Sequence, residues 1–242
     1  APALTIEPYV RPEFEQEMQR LRPVILAAAH RHNNQQLSRM DHKEFAVVIA
    51  LLLYNENFGS FEDVLHQVRP LTPIYQDLQS RANEMSGTNL SVWPANLRPS
   101  VALEMHQQKV PFPNESGFVT MSLEIAGSAI DVEEFEAQHE LYAAVTQELI
   151  DSEMAVEYLA ANIERGVYRA HLENTPITWR TLAAWHNQGI VNPRDIRQNA
   201  TAADYVRRTS AYLDTAHQLI YTEPRPAHVN DPNKHTVGQH IE

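Results

Sequence analysis

Residues Glu44 to Phe58 read EFAVVIALLLYNENF, and the fold turns on how that run is understood. Apolar side chains cover nearly its whole circumference, which marks a helix buried on most sides rather than one with a single core stripe. From Phe45 to Glu56 it would span about 18 Å at about 1.5 Å per residue. It stops abruptly on Asn55, Glu56 and Asn57. Partial burial favours the neutral form of a carboxylic acid, so Glu56 is expected to titrate high, as a general acid near neutral pH requires. The plainer reading is a glutamate that reaches solvent where a core helix ends.

The flanking chain supplies packing partners for this helix. Residues 1–12 carry three prolines and read as an extended lead-in. Met18, Leu21, Val24, Ile25, Leu26, Ala28 and Ala29 recur at helical spacing, with Pro23 as a kink or restart. After Gly59, the apolar positions from Phe61 to Val68 and from Ile74 to Met85 suggest two short helices covering the end of the central one. A loop at Ser86 to Asn89 leads to Leu90–Pro99 and a short helix through Met105; Phe118 to Ile125 suits a strand or hairpin arm. Helical patterns return from Asp131 to His171, with Asp151 placed to cap the second of them. Ile177 to His186 follows, closed by Gly189, and Ala202 to Tyr221 reads as a last amphipathic helix. The expectation is a mainly α, α-rich α+β fold: one domain over 13–221, a lead-in over 1–12, and a Pro/His-containing tail over 222–242, extended or disordered.

With 31 acidic and 19 basic residues the net charge is −12, and no basic stripe offers a footprint for nucleic acid or for an anionic membrane surface. The absence of cysteine excludes disulfides, zinc–thiolate sites and a cysteine nucleophile. No apolar run approaches the roughly 20 residues of a membrane span. His30 and His32 lie two apart and point to different sides of a helix, while His228, His235 and His240 are too widely spaced for a metal motif, so neither a metal nor a cofactor is expected. The chain opens Ala-Pro-Ala without Met, which is compatible with removal of a secretory signal.

Four stretches, in order, carry a resemblance. Glu56-Asn57-Phe58 ends an apolar helix as the Glu-Ser-x-Phe signature does in the lysozyme-like lytic transglycosylases of the family 23 type, with Asn57 in the Ser place and Phe58 one residue early. Ser91-Val92-Trp93-Pro94-Ala95-Asn96-Leu97-Arg98-Pro99 is similar to that superfamily's Ser, Gly, Ala, Gln loop, with Trp93 where Gly is usual and Asn96 in the Gln place. Leu182 to Gly189 resembles the Leu-Ala-Ala-Tyr-Asn-x-Gly stretch, with His186 standing before Asn187 where Tyr is usual, and Ala155 to Ile163 is similar to the helix preceding it. Tyr205-Val206-Arg207-Arg208 matches the Tyr-Val segment of the closing helix. Residues 109–126 have no counterpart.

The resemblance implies a lysozyme-like helical domain acting on peptidoglycan or a chitooligosaccharide-like glycan outside the cytoplasm. It implies Glu56 as the one acid and base, with the sugar's own C6 hydroxyl attacking to leave a 1,6-anhydro product. Ser91 and Asn96 would then bind N-acetyl or hydroxyl groups, Trp93 would offer a stacking platform or block a subsite, and His186, Asn187 and Tyr205 would complete the substrate site. Trp179 and Trp185 are expected in the core. A hydrolase would need a second carboxylate, and Glu62, Asp63 and Asp77, the nearest in sequence, read as solvated surface residues. Two other readings remain: a lysozyme-like glycan-binding or assembly protein without turnover, and a helical domain with no glycan connection.

Overall fold

The computed structural model describes residues 8–57, 66–112, 117–188 and 198–222. Among these the chain is mainly α with a small β part: ten helices and one two-stranded antiparallel hairpin. The helix α3 (His42–Glu56) sits at the centre, and every residue from Phe45 to Glu56 is buried. Its start is fixed by a capping box in which Asp41 accepts from the Glu44 N–H and Glu44 accepts from the Asp41 N–H.

Helix α1 (Pro12–His32) packs on α3 and buries Phe14, Met18, Leu21, Ile25, Ala28 and Ala29. It runs unbroken through Pro23, where a kink or restart was expected. Pro23 and Gln19, whose carbonyl loses its helical partner, both face solvent, so water can satisfy the freed group. After the single turn α2 (Gln35–Ser38) and α3, a 3₁₀ turn (His66–Leu71) leads into α4 (Thr72–Ser86). Most of the first expected helix, from Phe61, lies outside the described residues.

Helix α4 is not the cover that its pattern suggests. It packs on α6 (Gln138–Ile150), while Leu71, Ile74, Tyr75, Leu78 and Met85 stay exposed. Its orientation is held by polar contacts: the buried Asn83 amide accepts from the Leu90 N–H and the Thr88 hydroxyl and donates to the Leu90 carbonyl. Gly87 ends it in the left-handed conformation (φ 57°), where a Cβ would lie 2.5 Å from His139 backbone atoms.

Helix α5 (Pro99–His106) and the hairpin β1 (Lys109–Phe112) and β2 (Gly117–Thr120), paired Val110 with Val119, follow. The hairpin is real but begins earlier than the expected arm. The helical pattern from Asp131 starts with only a 3₁₀ turn (Val132–Glu134) before α6. Asp151 then caps α7 (Ser152–Leu172) by accepting from the Glu153 and Met154 N–H groups, as its position predicts. Helix α7 packs along α1, where the buried Glu157 carboxylate takes Arg31 at 2.5 Å, His32 at 2.9 Å and the Ala126 N–H at 3.0 Å. His32 also meets Glu164 at 2.8 Å, which gives that histidine an interhelical role.

Helix α8 (Trp179–Gln188) packs on α7 and on α9 (Ala200–Ser210), and α10 (Leu213–Tyr221) packs on α3. The expected single helix over 202–221 is therefore two. Tyr212 at the break is buried, stacks parallel on Tyr54 at 6.4 Å and donates its hydroxyl to the Tyr9 carbonyl, contacts made where i→i−3 bonds tighten the backbone. No helix among the described residues is long and apolar enough to cross a membrane.

Candidate active site

The end of α3 is pinned from outside. Arg11 donates to the Asn57 side chain and carbonyl, each at 3.1 Å, and the Asn57 amide reaches the Tyr9 carbonyl at 3.4 Å. Asn57 is thus an anchor that fixes where the preceding carboxyl points. Phe58 lies outside the described residues.

Glu56 is only 8% exposed, yet it borders a groove of about 470 Å³. Behind it stands Tyr205 of α9, fully buried, whose hydroxyl donates to Glu56 Oε1. Beside it, His186 Nε2 of α8 lies 3.8 Å from the same oxygen. The groove is also lined by Ser91, Asn96, Asn187 and Trp185, and on its far side by Glu104, Asn162 and Arg165. Four of the sequence-selected residues, Ser91, Asn96, His186 and Asn187, therefore share one cavity with Glu56.

The Ser91–Pro99 stretch forms a tight loop because Val92 and Leu97 pair across it, with Val92, Ala95 and Leu97 buried. Asn96 sits at its tip with φ of 53°, a left-handed conformation that Asn tolerates better than most side chains. Its amide reaches the Glu56 carboxyl.

Two assignments need correction. Trp93 does not line this groove. Its ring packs on Phe14 at 5.7 Å under the Arg11 guanidinium and borders a separate cleft between α1 and α4, because apolar contact with α1 outweighs exposure to the groove. Tyr205 does not line the groove either; it stands buried behind Glu56 and acts on the carboxyl. Trp185 is in the core as expected, and Trp179 packs against it from the edge. Asp77 is exposed and paired with Arg81 at 2.8 Å, whereas Glu62 and Asp63 lie outside the described residues.

Burial pushes Glu56 up to about 7, against opposing pulls from the Tyr205 hydroxyl, the Arg208 charge and the Asn96 amide. Burial pushes His186 the other way, down to about 4, opposed by the Ala95 backbone. Near pH 6 the proton therefore rests on Glu56 while His186 is neutral, so their contact is not an ion pair. A buried acid still protonated near neutrality, at the wall of a polar groove, can donate a proton and take one back.

Sequence reasoning missed the far wall. Arg165 is 1% exposed, with Nε on the Lys109 carbonyl at 3.0 Å, Nη1 on Asn162 at 3.1 Å and Nη2 on Glu104 at 2.5 Å. The available signal was Arg165 and Arg169 interrupting the buried stripe of α7; Glu104 carried none. Among the described residues no group of three or more His, Asp or Glu could hold a metal ion. No protein-family model matches the chain, and neither a curated protein nor a solved structure matches it.

Proposed function

We propose that this chain is a peptidoglycan-cleaving enzyme of the lytic transglycosylase type, breaking the β-1,4 bond between N-acetylmuramic acid and N-acetylglucosamine with Glu56 as its one acid and base. The supporting observation is Glu56 itself, buried, pushed up to about 7 and bordering a polar groove. In this reading Glu56 gives its proton to the glycosidic oxygen as the C1–O bond breaks and positive charge develops on the sugar ring. The resulting carboxylate takes the proton from the C6 hydroxyl as that oxygen bonds to C1. The product is a 1,6-anhydro sugar, no water is consumed, and Glu56 is protonated again. Ser91, Asn96 and Asn187 supply hydrogen bonds to the sugar, and the substrate would put the protein outside the cytoplasm.

A hydrolase is the second reading, favoured by one observation: Glu104 borders the same groove, paired with Arg165. A second carboxylate there could activate water. Mass spectrometry of the soluble products from purified peptidoglycan separates the readings. Anhydro-muropeptides from wild type and none from Glu56→Gln support the transglycosylase. Reducing-end products lost in Glu104→Gln support the hydrolase. No products, with retained sugar binding, would leave a lysozyme-like glycan-binding protein.

A further inference from the structure

The charged residues lining the groove are Glu56, Arg98, Glu104 and Arg165. Arg165 and Glu104 offset each other at 2.5 Å, and the other two Arg165 guanidinium nitrogens donate to the Lys109 carbonyl and the Asn162 side chain. Glu56 keeps its proton below about 7, and the neighbouring His186 is neutral above about 4. Arg98 is left. It is exposed, and its guanidinium makes no hydrogen bond or ion pair among the described residues. Its backbone is fixed, since its carbonyl accepts from the Val101 and Ala102 N–H groups at the start of α5. The groove thus presents one uncompensated cation on a chain of net charge −12.

On a chain whose net charge repels anions on the whole, a guanidinium rooted on a cavity wall without a partner biases that place toward them. Its planar fork matches a carboxylate in two-point fashion. We infer that Arg98 is an anion subsite of the Glu56 groove, so that the glycan taken here carries carboxylates. The inference rests on the glycan reading above and narrows it: a neutral chitooligosaccharide is a poorer ligand than an acid-bearing β-1,4 glycan. The acid has two sources in peptidoglycan, the lactyl group of the sugar and the carboxylates of the stem peptide.

The test is a titration of the full chain carrying Glu56→Gln, which blocks turnover, with and without Arg98→Gln. The probes are chitotetraose, a β-1,4 tetrasaccharide with free lactyl acids, the same tetrasaccharide with its lactyl groups amidated, and the stem-peptide form. The acid-bearing probe should bind about fivefold more tightly than chitotetraose at about 20 mM salt, with much of that advantage lost at about 200 mM. Arg98→Gln should remove the advantage and leave chitotetraose unchanged, and Arg98→Lys should keep part of it. Loss on lactyl amidation assigns the lactyl acid; recovery with the stem peptide assigns the peptide. Equal affinity for charged and neutral glycans, or equal weakening of both by Arg98→Gln, overturns the subsite while leaving glycan binding intact. Failure of every glycan to bind overturns both readings.

Discussion

The Tyr205 hydroxyl donates to Oε1 of Glu56 across 149 residues of sequence, between two side chains that are both buried. The bond favours the ionised carboxylate and therefore opposes the effect of burial. Helix α9 thus sets how readily the acid at the end of α3 parts with its proton.

Tyr205→Phe should move Glu56 above about 7, because burial remains and one group favouring the anion is gone. The ring still fills its site, so little packing is lost. The titration of Glu56, followed by carboxyl-carbon NMR, should shift upward, and any glycan-cleaving activity should persist to higher pH. An unmoved titration would mean the hydroxyl does not govern the carboxyl.

Glu56 should also leave a mark on stability that needs no substrate. Its native value of about 7 lies above the ordinary 4.5. Between those values the native state holds a proton that the unfolded state has lost, so stability falls as pH rises through this window. The two and a half pH units correspond to about 3 kcal/mol. Glu56→Gln removes that dependence. Denaturant unfolding at pH 5 and pH 8 should find the variant gaining about 2.5 kcal/mol on wild type between the two. A constant difference would put Glu56 in an ordinary solvated state.

Glu157 works in the opposite sense. Despite burial, which alone would raise it, hydrogen bonds from His32 and Arg31 hold it down at about 2. Burial alone would lower His32, but its contacts with Glu157 and Glu164 together raise it. The carboxylate's contribution is complete above its unfolded value and is lost as pH falls toward about 2. The imidazolium's contribution is complete below about 6.5 and is lost as pH rises through the raised native value. Between about 4.5 and 6.5 both act together. Glu157→Gln should cost about 3 kcal/mol near pH 5.5, measured by urea unfolding, and less on either side. A loss independent of pH would reduce the cluster to packing.

How much of this was legible beforehand follows from what sequence periodicity can carry. The burial of α3 was plain because ten consecutive apolar residues leave no polar face, and Glu56 stood out as the first carboxyl after them. Asp151 was readable as a cap because capping is local. The break at Tyr212 was not, since it depends on Tyr54 and Tyr9, which are remote in sequence. Trp93 and Tyr205 belong to conspicuous stretches, yet neither lines the groove, because a residue's facing depends on which helix packs behind it. Glu104 was invisible for the same reason: its place in the groove is set by Arg165 on another helix.

Asn96 offers a way to separate the shape of its loop from its chemistry. Its left-handed backbone (φ 53°) suits Gly, which has no Cβ, and Asn, whose short polar side chain can bond locally, whereas Ala is strained there by roughly 1–2 kcal/mol. Its amide pulls Glu56 down, though less than the Tyr205 hydroxyl does. Asn96→Gly should therefore keep the loop and move Glu56 upward, by less than Tyr205→Phe. Asn96→Ala should move Glu56 similarly and in addition lower stability by about 1 kcal/mol relative to Asn96→Gly. Thermal or urea unfolding supplies the second comparison and the NMR titration the first. If the glycine variant keeps the wild-type titration, the amide does not act on Glu56, and the placement of Asn96 at the loop tip serves the backbone alone.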